Sequence, residues 1–437
     1  LLHTNLLYRI FARSPCNTRY NAAMSHQYPT ALYAQTARTW AVIDTEALRH
    51  NLHVLAPLPG TLMPVVKADA YGHGVEVVAT TCVAEGVSHL AVATVAEAEE
   101  LRQILASLNS RADIYILSSY LAEEAEIVAE IDAIPMVSSW EQWESLQKAS
   151  TPYRLPRRCF LMVDTGMGRE GANEEQAQQI WKAASTASTL RITGIATHFS
   201  SADDPEADAI TQNQCGELSR LLLEWGGEQL SHREDRRDNR GLWFSVHNSP
   251  AMLRNHILPD LPRLGRGTLY RPGAILYGIE PYRGAFAELP LRPLLSWYAR
   301  VTLVKSLPHG ATVGYGCTAR LERPSRIATL SVGYADGLSR RLSNRGTVLL
   351  HGQRFPIVGR ISMDQCQIDV TDAQIPVQPG DIATLIGTDG TETQSVLDIA
   401  ELLDTTSHEP TCALSRRVPR LQKDSQNGVE EGGMKNF

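Results

Sequence analysis

The chain lacks any run approaching the roughly 18 consecutive apolar residues of a membrane-spanning helix. It has no Cys-x-x-Cys pair, and its seven cysteines among 437 residues are scattered and odd in number. Paired structural disulfides and a clustered thiolate metal site are therefore not expected, and the thiols read as reduced, in a cytoplasmic protein. Positive charge is also short: the formal net charge of −7 gives no electrostatic reason to bind nucleic acid or an anionic membrane. The first thirty residues make a poor signal peptide, because His3, Asn5 and Arg9 break their apolar pieces. Residues 1–37 read as a disordered extension, and Met24 offers an alternative start.

From about residue 60 a clear alternation sets in. Apolar runs occur at 61–66, 89–94, 112–118, 133–139, 157–164, 191–198, 242–247 and 268–278. Most are separated by amphipathic segments such as 95–105, with Val95, Ala98, Leu101, Ile104 and Leu105 on one face, and 217–225, with Leu218, Leu221 and Leu222. Near-continuous apolar strands alternating with helices imply a parallel sheet buried on both faces. Eight such units favour a (β/α)8 barrel over residues 38–290, with an open doubly wound sheet as the alternative. Residues 226–241 read as a charged surface insertion.

After about residue 290 the style changes to strand-like stretches punctuated by Gly and Pro, predicting a mostly β domain over 291–420. Its one short helix, 395–404, has Ser395 as N-cap. The segment 38–44 is a strand that can join either domain, and 421–437 reads as a frayed polar tail.

In a barrel, chemistry collects where strands run into the following loops. The residues that stand out at those places are Lys67, Asp164 and Arg169, His198, then Ser245, His247, Asn248 and Ser249, and lastly Arg271, Gly273 and Ala274. Each has a plain structural alternative: a solvated lysine, a turn glycine, a packed histidine. Their joint placement at one mouth is what singles them out.

Nine short motifs stand in order along 38–420: VVKADAYGHG, VDTGMGREG, THFSSAD, NSPAMLR, YRPGAILYG, GYGCTA, SVGYADG, VGRISMDQ and RRVPR. They closely resemble those of the alanine racemases. The resemblance implies a pyridoxal 5′-phosphate (PLP) barrel, a β-rich second domain and a homodimer with shared active sites. It implies that Lys67 carries the cofactor and that Tyr315, from the other subunit, is the opposing acid–base. Arg271 would face the pyridine nitrogen with His198 behind it. Ser245, Ser249, Gly273 and Ala274 would cradle the phosphate, with Tyr71 as a further phosphate contact. Arg169 and the Met363 N–H would hold the substrate carboxylate. Asp203, Tyr334, Arg340, Arg360 and Asp364 match positions around the entrance. The substrate expected is a small amino acid, alanine first and serine next. A PLP decarboxylase and a PLP-carrier protein are the other classes weighed.

Two residues depart from the pattern. Met162 stands where many members have a carbamylated lysine, so no bicarbonate dependence is expected. His408 stands where a tyrosine usually touches the cofactor phosphate.

Overall fold

The computed structural model describes residues 37–58, 60–225, 241–254 and 267–423. The N-terminal extension up to 36, nearly all of the charged insertion and the tail from 424 lie outside the described residues.

The chain opens with β1 (Thr39–Asp44) and then a helix, Thr45–Leu55. Asp44 starts that helix by accepting a hydrogen bond from the Ala47 N–H. Eight parallel strands follow: β2 (Thr61–Leu62), β3 (His89–Val92), β4 (Asp113–Ile116), β5 (Ile134–Val137), β6 (Arg157–Met162), β7 (Leu190–Ala196), β8 (Trp243–Ser245) and β9 (Gly267–Tyr270). Their hydrogen-bonded order is β2-β9-β8-β7-β6-β5-β4-β3. A parallel bridge between Val65 and Ala91 joins the two ends of that order, so the sheet is a closed barrel and not the open alternative.

The barrel interior is filled by side chains. Phe160 and Tyr115 meet edge to face at 5.3 Å, and Gly194 leaves room for the Phe160 ring, whose atoms would lie 2.2–2.5 Å from any added Cβ. On the predicted helices the expected faces are the buried ones: Val95, Ala98, Leu101 and Leu105 in Val95–Ser107, and Leu218, Leu221 and Leu222 in Asp208–Glu224. Among the described residues no helix is long and apolar enough to cross a membrane, and the six described cysteines form no disulfide.

The second sheet is built from β10 (Leu295–Leu307), β13 (Ser325–Leu330), β14 (Thr347–Leu350), β15 (Gln353–Pro356), β16 (Cys366–Asp369), β17 (Ile382–Asp389), β18 (Glu392–Gln394) and β19 (Arg420–Lys423). The short pair β11 (Thr312–Val313) and β12 (Ala319–Arg320) stands apart from it. The first strand belongs to this sheet: β1 pairs antiparallel with β10 and parallel with β19. One expectation is thereby corrected. The chain does not fray after Arg420 but continues as strand to Lys423, whose Nζ lies 3.1 Å from Asp44. The short run Leu421-Gln422-Lys423 carries no strand signal of its own; the partner strand supplies it. The helix Val396–Leu403 does start at Ser395, in a reciprocal capping box with Asp398.

Candidate active site

The C-terminal ends of the barrel strands surround a cavity of about 690 Å3. Its wall includes Lys67, Tyr71, Arg169, His198, Ser249 and Arg271, together with Asp203, Gly273, Ala274 and His408. Residues separated by more than 300 positions in sequence thus share one space.

Lys67 follows β2 after Met63-Pro64-Val65-Val66, and the backbone beyond it is unusual. Ala68, Asp69, Ala70 and Tyr71 all have φ between 52° and 55°. Such a left-handed turn costs each L-residue about 1–2 kcal/mol, so the surroundings must hold it. Glu97 does much of this: its carboxylate accepts from the Ala68, Ala93 and Thr94 N–H groups at 2.8, 2.7 and 3.1 Å. Asp69 accepts from the Val75 N–H at 2.8 Å, and Tyr277 donates its hydroxyl to the Val65 carbonyl at 2.8 Å. Gly72 is obligatory for a different reason: a Cβ there would lie 2.0 Å from the Thr411 carbonyl oxygen. That close approach brings the short helix Glu409–Cys412 against the lysine loop and seats His408 5.6 Å from the Tyr71 ring. Arg420 Nε donates to the Gly72 carbonyl and ties the second domain to the same loop.

Burial, reinforced by the Arg169 guanidinium, holds the Lys67 ammonium below its ordinary range. The free amine is thereby favoured. Burial pushes the Tyr71 phenol well up, so its hydroxyl remains a donor.

Arg271 is buried and firmly oriented. Its Nη1 donates to the Ser245 carbonyl and, at 2.7 Å, to the Ser245 hydroxyl; Nη2 donates to Thr197 O at 2.9 Å and Val246 O at 3.2 Å. Nη2 also meets His198 Nδ1 at 3.2 Å. A guanidinium only donates, so Nδ1 accepts and the imidazole proton sits on Nε2. Consistently, burial and the neighbouring Arg271 push the His198 pKa down to about 3, which keeps the ring neutral. The buried Arg271 itself is lowered only to about 10 and stays cationic at neutral pH. Its Nε donates to no described residue.

Ser249 begins the helix Ser249–Leu253, capped by Asn248. Its Oγ accepts from the Gly273 N–H at 2.9 Å. A Cβ on Gly273 would fall 2.5 Å from Tyr71 Oη and 3.6 Å from Ser249 Oγ. The glycine therefore keeps open a cradle ringed by two hydroxyls and a peptide N–H. Donors around an open pocket suit a phosphate group, and a free buried amine beside them suits an aldehyde. PLP combines both, and these residues fit it.

Not every expected residue lies here. Ser245 is not in the cavity wall; its hydroxyl donates to Leu269 O and accepts from Arg271, so it orients the arginine instead of facing the phosphate cradle. Tyr315 and Met363 are absent from the cavity wall and are 71% and 51% exposed, on the second domain. Arg360 lies beside them, with its guanidinium 3.2 Å from the Cβ position of Gly316, and Tyr334 is 44% exposed. Asp364 pairs with Arg417 at 2.8 Å. Within one chain these residues form an exposed face, not part of the pocket.

Sequence reasoning missed Glu97, Gln214, Tyr277 and the 404–407 segment. Gln214 joins the ends of β6 and β7 by donating to His198 O at 3.0 Å and contacting Thr165 Oγ1. Glu97 carried a faint signal, since Thr94-x-x-Glu97 spells a capping box. Nothing local marked the others.

The family described as alanine racemase, N-terminal domain, matches residues 43–281, and alanine racemase, C-terminal domain, matches 294–422. An alanine racemase of Halothermothrix orenii is 39% identical over 397 residues, covering 90% of this chain and 99% of its own. An alanine racemase of Methylacidiphilum infernorum is 35% identical over 387 residues, covering 87% and 92%. The crystal structure of alanine racemase from E. faecalis superposes with a TM-score of 0.77 at 32% identity, covering 88% and 98%. That of Bartonella henselae, described with covalently bound pyridoxal phosphate, superposes at 0.75 with 29% identity, covering 89% and 100%. With both domain families matched in order and relatives aligned over nearly their full length, the chain belongs to the alanine racemase family.

Proposed function

We propose that this chain is a PLP-dependent racemase that interconverts L- and D-alanine. The observation that carries the reading is the shared cavity in which Lys67, Arg271 and the Gly273–Ser249–Tyr71 cradle converge. Lys67 would bind the cofactor's carbonyl carbon, Ser249, Gly273, Ala274 and Tyr71 its phosphate, and Arg271 its pyridine nitrogen; His408, 5.6 Å from Tyr71, would stand at the phosphate. When bound, PLP supplies an electron sink for the carbanion at the substrate Cα.

The protein's own residues handle protons and orientation. Lys67 Nζ, favoured as the free amine, takes or returns the α-proton on one face. Racemisation needs a second group on the other face, and that is Tyr315, supplied by a second copy of the chain. Its exposure in the single chain fits a residue meant for a partner's pocket. Met363 on the same face would give its N–H to the substrate carboxylate, opposite Arg169. The active unit is therefore a homodimer, and we place it in the cytoplasm.

Arg271 also selects among reactions. It remains cationic but holds its proton tightly, so it would leave a pyridine nitrogen set against it unprotonated. The cofactor would then be a weaker electron sink, which would disfavour side transamination. This favours racemisation over the decarboxylase reading, for which an acidic partner at that nitrogen is expected. Serine, which differs from alanine by one hydroxyl, remains the second substrate.

The test is exchange of the α-proton of L-alanine in D2O, followed by NMR and chiral analysis. Wild type should exchange and racemise together, and Tyr315→Phe should lose racemisation by orders of magnitude. Exchange without racemisation in the wild type would refute the two-sided mechanism; neither would refute the activity.

A further inference from the structure

At the opposite end of the barrel, around the strand N-termini, lies a second cavity of about 570 Å3. Its lining includes Arg111, Arg157, Arg158 and Arg191, with Asp113 and Asp132. Among the described residues that line it, four guanidinium groups stand against two carboxylates, a surplus of two positive charges.

Both carboxylates are already engaged. Asp113 pairs with Arg158 at 2.9 Å, and Asp132 with Arg157 at 3.2 Å and Arg158 at 3.6 Å. Arg111 and Arg191 make no side-chain hydrogen bond or ion pair with any described residue. Arg157 Nε is buried without a hydrogen-bond partner. The strand register sharpens the imbalance: Arg158 and Arg191 are direct partners across β6 and β7. Like charges opposite one another on neighbouring strands repel. Arg111 is exposed and Arg157, Arg158 and Arg191 are half-buried, so the cluster is open to an anion arriving from solvent.

We infer that this cavity is a binding site for a small multivalent oxyanion, of the phosphate or polycarboxylate class. Two surplus guanidinium groups match the charge of a dianion, and their planar forks suit its oxygens. The space also exceeds the needs of a single inorganic ion, so a larger molecule bearing such a group fits. The site lies at the far mouth from Lys67, so its ligand is neither the racemase substrate nor the cofactor.

The test uses PLP-loaded protein, in which the cofactor's own phosphate fills the upper cradle. Inorganic phosphate and citrate are titrated separately at constant ionic strength, with chloride as control, by calorimetry and thermal unfolding. Saturable binding of at least one is expected, and the two arms tell phosphate from polycarboxylate. Arg191→Gln should weaken it on the order of tenfold, and Asp113→Asn, which removes the nearer carboxylate from Arg158, should strengthen it. Racemase kcat/KM should stay unchanged in Arg191→Gln. No saturable binding in the wild type, or binding altered by neither variant, overturns the inference. The readout needs no racemase activity, so its failure is separate from failure of the functional reading.

Discussion

Replacing Glu97 by alanine tests whether the left-handed turn after Lys67 is held from outside. Four consecutive residues in that conformation store roughly 4–8 kcal/mol of strain. Against it, the Glu97 carboxylate accepts three backbone N–H groups, one of them from Ala68 within the turn. Hydrogen bonds to charged groups contribute about 1.5–3 kcal/mol each, but three to one half-buried carboxylate are not additive. A loss of about 2–4 kcal/mol in folding stability is the expected result, read from urea unfolding of the apoprotein. A second readout separates positioning from simple destabilisation. Glu97 raises the Lys67 pKa, so its removal should lower it further. Acylation of Lys67 in the apoprotein should then extend to lower pH in Glu97→Ala and Glu97→Gln. Glutamine keeps one acceptor oxygen and should recover part of the stability but not the Lys67 titration. Stability within about 0.5 kcal/mol of wild type, with unchanged Lys67 titration, would refute the reasoning.

Further outcomes follow from the same geometry. Gly273→Ala places a Cβ against Tyr71 Oη and should weaken PLP retention about 10- to 100-fold, measured by equilibrium dialysis, with little change in the barrel's far-UV spectrum. Activity should survive removal of CO2, because Met162 carries no carbamate and Arg169 hydrogen-bonds to no described residue; loss of activity in degassed, bicarbonate-free buffer would count against this. His73, His198 and His247 are buried, with pKa values pushed down to about 4, 3 and 3. Unfolded histidine binds its proton near 6.5 while these folded ones do not, so stability should fall as pH drops below about 6.5, by up to about 1.4 kcal/mol per pH unit per histidine. His247→Phe should make that slope shallower by about one proton. Burial and Lys67 also lower the His408 pKa, so NMR should find its charge lost below the ordinary 6.5 in the apoprotein.

Much of the barrel was legible because its signal is local. The apolar runs recur with helical segments between them, and strand-end chemistry follows from topology. Position at the strand ends made the lysine, both key arginines and the glycine of the cradle candidates; the family resemblance, not position, suggested their roles. The misreadings have a common cause. Ser245 sits in the right loop, but its hydroxyl turns inward to Arg271. The Leu421–Lys423 segment is strand only because β1 lies beside it. Glu97, Gln214 and Tyr277 act through carbonyls and N–H groups 29, 16 and 212 residues away, which no local pattern records.

By itself, then, the sequence determined the alternating apolar code of a barrel, the β-rich second domain, and the reactive residue types at the strand ends. These depend on periodicity and side-chain chemistry, both local. Tertiary structure decided that the sheet closes, through Val65 and Ala91, and that the first and last strands meet in the second domain. It decided the state of the reactive groups: a lysine deprived of water beside Arg169, a histidine kept neutral by burial and the charge of Arg271, and a glycine kept bare by Tyr71. Desolvation, charge and steric exclusion depend on what lies within a few ångströms, and only the folded chain sets that.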